Sequence, residues 1–387
     1  MKHISSPMRR TIACAVIVAL SVVFLAGSAY RAAAAPAITL TSSVQSTFPT
    51  SMTFRVHAQS NSNVTQLRVH YKVGRQNFAD VTSEGWAQFT PATTVDGSWM
   101  WDMRKSGLPP GAQVEYWWTA TDAAGNTGET PHATISFDDD RHKWQTTTSG
   151  QITLEWYNGS QSFASALITA AQQGLQRIEN DTAAIPQGNI LIFIYASAQD
   201  LQSAQIFAQQ WEGGTYFEGY NIVAVGVATD QLFYGQAAVP HELTHLVVHQ
   251  ITFNNYGADL PTWLDEGLAT YGEGALANPQ YKSALNSAIQ NHQLISLRSL
   301  SSPFSAISQQ AYISYGESNS VVTFMIDTYG KAKMRQLLDV FHQGSGFDEA
   351  LTKVYGFDQD GLDTVWRKSL GLSSAILPEP DIVLAAG

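Results

Sequence analysis

A chain of 387 residues, 44% of them hydrophobic and only 14% charged, is globular and long enough to bury more than one core. The first 35 residues hold four basic and no acidic side chains, which leaves 17 basic against 32 acidic residues, a net charge of −15, and excludes nucleic acid and anionic membrane surfaces as partners. Cys14 is the only cysteine and falls in that leader, so the rest of the chain has no disulfide, no thiol nucleophile and no cysteine metal ligand.

Lys2, Arg9 and Arg10 precede an apolar run from Ile12 to Ala29, and Tyr30 to Ala35 supplies the small residues of a cleavage site. Residues 1–35 are expected to be a signal peptide. The run approaches the roughly 18 residues of a membrane-spanning helix, so an uncleaved N-terminal anchor is the alternative. Either way the remainder is expected outside the membrane, secreted or tethered to its outer face.

Residues 36–140 alternate as strands do, over Met52–Ala58, Gln66–Val73 and Gln113–Ala120, between turn signals at Asp96-Gly97, Pro109-Pro110-Gly111 and Gly125-Asn126. This predicts an all-β sandwich. The stretch Leu108–Asp122 is similar to the late strands of immunoglobulin-like and fibronectin type III modules. Trp99, Trp101, Trp117 and Trp118 read as alternating core residues of such a sandwich rather than a sugar-stacking face. Asp138-Asp139-Asp140-Arg141 breaks the pattern and is read as a solvated linker, since no calcium-loop spacing surrounds the three aspartates.

The second domain is placed at residues 141–372. A strand over Gln151–Tyr157 is followed by a helical period over Ser162–Asn180, with Ala166, Leu167, Ala170, Leu175 and Ile178 on its apolar face. A strand at Asn189–Ala196, a helix at Gln199–Gln210 and a β-rich run at Tyr220–Ala228 come next. Gly213 to Val225 reads either as a sheet edge that receives an extended peptide or as an ordinary hairpin. Residues 280–371 are mainly helical, and the tail 373–387, with Pro378 and Pro380, is expected to be poorly ordered.

The chemistry concentrates at His241-Glu242-Leu243-Thr244-His245, set among Ala237, Ala238, Val239, Leu246, Val247 and Val248. HExxH on a helix puts two imidazoles one turn apart with a carboxylate between them, the geometry of a zinc hydrolase. A catalytic zinc takes three protein ligands and a water. His249 lies a further turn along, roughly 6 Å, and does not close on a metal shared by His241 and His245. Val248 and Ile251 occupy the places where a metzincin has its glycine and third histidine. The remaining candidate is Glu266, in Pro261-Thr262-Trp263-Leu264-Asp265-Glu266-Gly267-Leu268-Ala269. Asp265 diverges from its neighbour by about 100° and is expected to face solvent or cap the helix.

HELTH followed by LPTWLDEGLATY resembles the gluzincin metallopeptidases, and within them the peptidase MA-like family, over residues 145–371. The resemblance implies a single Zn2+ on His241, His245 and Glu266, with Glu242 as general base and a peptide or protein as substrate. It implies an α+β chain in which the sandwich precedes a zincin-like catalytic domain with a helical C-terminal part. Tyr312 and Tyr315 lie in the segment where the family has a further helix, and either is a candidate hydrogen-bond donor to the oxyanion. His292 reads as a surface residue. One departure stands out: Thr270 occupies the place of an aspartate that orients a zinc histidine in thermolysin-like members, which leaves the outer carboxylate unassigned. The competing reading is a cell-surface or wall-associated binding protein whose zinc is structural or weakly active. A complete HExxH with Glu266 favours hydrolysis, because structural zinc closes its fourth position with protein. No G-x-S-x-G motif is present for a serine hydrolase.

Overall fold

The computed structural model describes residues 37–75, 79–207, 213–257, 259–274 and 277–372. The leader and the C-terminal tail fall outside these, as do residues 208–210 of the helix expected over 199–210, which ends short of that span, at Ser203. No helix among the described residues is long and apolar enough to cross a membrane.

Seven strands build the N-terminal region: β1 (Ile38–Thr47), β2 (Ser51–Val73), β3 (Ser83–Trp86), β4 (Ala92–Asp102), β5 (Ala112–Asp122), β6 (Thr127–Glu129) and β7 (Ala133–Phe137). The long β2 organises them. Its first half pairs with β1 and β4; the register then shifts between Gln59 and Val64, and its second half pairs with β3 and β5. The two halves lie in facing layers, since Phe54 of the first packs 5.1 Å from Tyr116 of β5, the neighbour of the second. Alternation sends Met52, Phe54, Val56 and Ala58 inward. Trp101 and Trp118 are buried, Trp99 stacks on Phe54, and Trp117 lies between His70 and His132, as expected of core residues rather than an open platform.

A second sheet contains β8 (Gln145–Ser149), β9 (Ile152–Trp156), β10 (Ile190–Tyr195), β11 (Gly214–Phe217) and β12 (Ile222–Gly226), in the order β11-β12-β10-β9-β8. The central three are parallel and both edges antiparallel. This sheet is buried on two sides, so its strands read as continuous apolar runs. Ile192, Ile194, Val223 and Val225 face the helices, while Phe193, Tyr195, Ile222 and Ala224 join the core of the N-terminal strands. The segment between the two regions is therefore only partly a solvated linker. Asp138 and Asp140 are exposed, but Asp139 is buried, paired with Arg141, and accepts from Tyr195 Oη at 3.1 Å.

The helices are α1 (Gln161–Thr182), α2 (Ala198–Ser203), α3 (Leu232–Thr252), α4 (Thr262–Glu273), α5 (Pro279–Gln290), α6 (Ser308–Tyr329), α7 (Lys331–His342), α8 (Phe347–Tyr355) and α9 (Gln359–Ser369). The expected α+β order, with strands ahead of a sheet and its active-site helix and a helical C-terminal part, is present. Helix α3 lies on the sheet beside β11 and β12, flanked by α1 and α4. Gly272 of α4 sits directly over Thr244 of α3, where any side chain would collide with the hydroxyl, so the two helices approach closely at the HExxH turn.

Candidate metal centre

Helix α3 carries His241 and His245 on one face, one turn apart. The crossing of α4 brings Glu266 to them. His241 Nε2 lies 3.3 Å from His245 Nε2 and 3.3 Å from Glu266 Oε2, and His245 Nε2 lies 3.6 Å from that oxygen. Ligands held about 2.0–2.2 Å from a tetrahedral zinc are about 3.3–3.5 Å from each other, so the triangle has the size this ion needs. The chemistry of the donors agrees: Glu266 Oε2 is buried and, among the described residues, makes no hydrogen bond of its own, as an oxygen available to a metal would be. The three residues fit zinc.

Each imidazole is held from behind. His241 Nδ1 lies 2.8 Å from Glu273 Oε1, and His245 Nδ1 lies 2.9 Å from Asp265 Oδ1. Donation from Nδ1 fixes each ring plane and turns Nε2 toward the triangle, where its lone pair is available once the ring is neutral. Burial pushes the His241 imidazole down, but Glu266 and Glu273 outweigh it and raise it to about 10. The same contest, with Asp265 and Glu266 as the anions, lifts His245 well above the usual histidine range. Burial pushes the Glu266 carboxyl up, and the two imidazoles draw it down to about 2. The protons held on these rings are the ones a metal displaces on binding.

One expectation is corrected here, and one open position is filled. Asp265 neither faces solvent nor caps α4; it is mostly buried against α3. Neighbours about 100° apart on one helix can straddle a single ring, and here Asp265 takes Nδ1 of His245 while Glu266 points at Nε2. The carboxylate missing at Thr270 is supplied three residues later. Thr270 turns its hydroxyl back to Glu266 O at 2.8 Å, and Glu273, seven residues after Glu266 and so on the same face of α4, reaches His241. Arg177 of α1 donates to the carbonyl of Gly272 beside it and secures that end of the helix. The heptad spacing of Glu266 and Glu273 was the available signal in the sequence.

Glu242 lies on the sheet side of the site. Its carboxyl rests so close to β11 that a Cβ on Gly214 would fall 2.7 Å from Oε1, so a side chain at 214 would displace Glu242. The hairpin reading of residues 213–225 holds, since β11 and β12 form one, and β11 is also the edge of the sheet beside the triangle. Tyr216 of β11 stacks on His245 at 5.7 Å and on His249 at 5.0 Å. On the other side Tyr315 stands edge-on to His241, with 6.4 Å between ring centroids, backed by Tyr281 and Phe304. Burial first, then the nearby carboxylates, hold the Tyr315 phenol far above its ordinary range and so protonated. Tyr312 packs on Tyr281 at 5.8 Å and is one ring removed from the site. His292 is exposed at the end of α5, as expected. His249 lies outside the triangle, with Nε2 3.1 Å from Asp265 Oδ1.

Among solved structures the chain is similar to an M1 zinc metallopeptidase from Deinococcus radiodurans, at 11% identity over 89% of this chain and 95% of that one, with a TM-score of 0.36. It is similar to aminopeptidase A of Legionella pneumophila, at 11% identity over 86% of this chain and 49% of the other, with a TM-score of 0.36. Against OgpA of Akkermansia muciniphila the identity is 14% over 26% of this chain, which spans 28% of that protein, with a TM-score of 0.21. No curated protein matches the sequence. The model of the peptidase MA superfamily matches residues 170–371, more than half of the chain and all of the segment that holds His241, Glu242, His245 and Glu266. With its His-His-Glu site of gluzincin type, the chain belongs to the peptidase MA superfamily of metallopeptidases.

Proposed function

We propose that this metallopeptidase is exported, binds one zinc per chain, and hydrolyses peptide bonds with Glu242 as general base. The observation that carries the reading is the triangle of His241, His245 and Glu266 donor atoms, with Glu242 lying between it and the open edge of β11. Zinc held by those three residues would polarise the scissile carbonyl and acidify the attacking water.

The remaining steps belong to side chains and backbone. An extended peptide adds to β11 as a further strand, which sets its backbone across the site. Glu242 accepts the proton of the attacking water and returns it to the leaving amine, as a base and then an acid at one position. Tyr315, kept protonated by burial, donates its hydroxyl hydrogen to the oxyanion as charge develops there. Tyr312, packed on Tyr281, supports that wall and makes no donation. The basic-apolar-small pattern of residues 1–35 supports export, which puts the substrate, a peptide or a protein, outside the cell.

The test is cleavage of a generic unfolded protein by the purified chain, abolished by a chelator and restored by zinc. Glu242→Gln keeps the size of the side chain and removes its basicity, so turnover falls by at least about 100-fold while zinc content holds. Glu266→Gln loses zinc and activity together. Equal zinc loss in both variants, or near-normal turnover by Glu242→Gln, overturns the assignment.

A further inference from the structure

One imidazole of α3 has no part in the steps above. His249 is a turn beyond His245, and its Nε2 lies 3.1 Å from Asp265 Oδ1, the same atom that accepts from His245 Nδ1 at 2.9 Å. Tyr216 covers both rings from β11, at 23° to His245 and 29° to His249. A carboxylate oxygen with one donor is free to swing about its own side-chain torsions. With two donors on consecutive turns of one helix it is held at two points, and the ring it orients is held with it. A second metal shared by His245, His249 and Asp265 does not suit these atoms. It would take His245 through Nδ1 while Nε2 serves the triangle, and a neutral imidazole has a single lone pair to give.

We propose that His249 is a positioning residue for the metal centre: by donating Nε2–H to Asp265 it fixes the carboxylate that orients His245, and Tyr216 holds the two rings in that alignment from the substrate edge. The inference rests on the zinc peptidase reading above. It also ties the strand that receives the peptide to one of the zinc ligands, so disturbance at β11 is felt at the metal.

The experiment compares the whole chain with His249→Leu and His249→Gln, measuring zinc affinity by competition with a chromophoric chelator, the visible spectrum of the cobalt-substituted protein, and kcat and KM separately on a generic peptide. Loss of the direct partner of a metal-bound histidine costs about 10–100-fold in affinity, and one step further out the expected loss in His249→Leu is about 3–10-fold. Its cobalt bands shift, and kcat falls more than KM rises. His249→Gln, whose amide N–H reaches about as far as Nε2, restores most of each readout. Should His249→Leu fail to fold, His249→Asn, polar but too short to reach Asp265, replaces it in the comparison. Wild-type zinc affinity and cobalt spectrum in folded His249→Leu overturn the proposal, as does a wild type with two zinc ions of which His249→Leu keeps one. If the wild type binds zinc and cleaves nothing, the hydrolytic reading fails while the zinc and cobalt readouts still judge His249. A wild type without zinc overturns both.

Discussion

The sheet β8–β12 has two faces built from alternate residues of the same strands, and they have been used for different purposes. Phe193, Tyr195, Ile222 and Ala224 meet the N-terminal strands in an apolar core, with Trp144 edge-on to Phe193 at 5.1 Å. One residue along, Ile192, Ile194, Val223 and Val225 lie under helices that bury His245 and Glu273 and hold Asp265 and Glu266 largely out of solvent. The first face contributes stability through area removed from water, roughly 1.5–3 kcal/mol for each large side chain. The second holds ionisable groups that would be costly if unpaired, and His241, His245, Asp265, Glu266 and Glu273 are paired with one another around a single point. The groups that could hold a metal lie on one side of the sheet and an apolar core lies on the other.

Breaking the charged face outright should give the largest effect. A His241→Ala, His245→Ala double variant loses two of three ligands, so elemental analysis should find no zinc in the purified protein and peptide cleavage should vanish. Undiminished zinc there would place the metal elsewhere.

Breaking the apolar face should do the opposite. Phe193→Ala removes a buried ring beneath the N-terminal strands and should cost about 3–5 kcal/mol of unfolding free energy in a denaturant titration. Zinc per folded molecule should stay at one. A parallel loss of metal would show that the two faces are not separable in function.

A finer cut tests the outer carboxylates. Glu273→Gln keeps an oxygen acceptor for His241 Nδ1 but removes the charge behind it, and zinc affinity should fall by about 10–100-fold with little change in thermal unfolding of the zinc-saturated protein.

The smallest effect concerns Glu317 of α6, which is fully buried away from this network and, among the described residues, accepts only from Ile295 N at 2.9 Å. Burial pushes its carboxyl up to about 8, against the partial relief of that amide and Arg367. Between about pH 4.5 and 8 the unfolded chain has released this proton and the folded chain has kept it, so stability falls as pH rises, by about 1.4 kcal/mol per pH unit at most. Glu317→Gln should flatten that slope in unfolding curves taken across the window. An unchanged slope would assign it to other groups.

Much of this site was legible in the chain. His241 and His245 are spaced by the helical repeat itself, so a local pattern places them on one face, and Glu266 follows from the need for a third ligand and from the WLDEG pattern around it. The strand and helix order was equally readable, because alternation in β2 and the 3.6-residue period of α1 are short-range signals. Asp265, Tyr216 and His249 were not legible in their roles, and the seven-residue spacing of Glu266 and Glu273 gains its meaning only once α4 crosses α3. Asp265 beside Glu266 looks like a redundant acid until α4 is laid across α3, and Tyr216 is one aromatic among many until β11 is known to be the sheet edge.

The chain by itself determined the metal-binding chemistry, through residue type and helical spacing, and the class of fold, through its strand and helix periods together with the resemblance of HELTH and WLDEG to the gluzincins. The tertiary structure decided which acids stand behind which imidazoles and that Tyr315 rather than Tyr312 meets His241. Those facts depend on the crossing of α3 with α4 and on the order of strands, which are set by packing between segments far apart in sequence and leave no mark in any one of them.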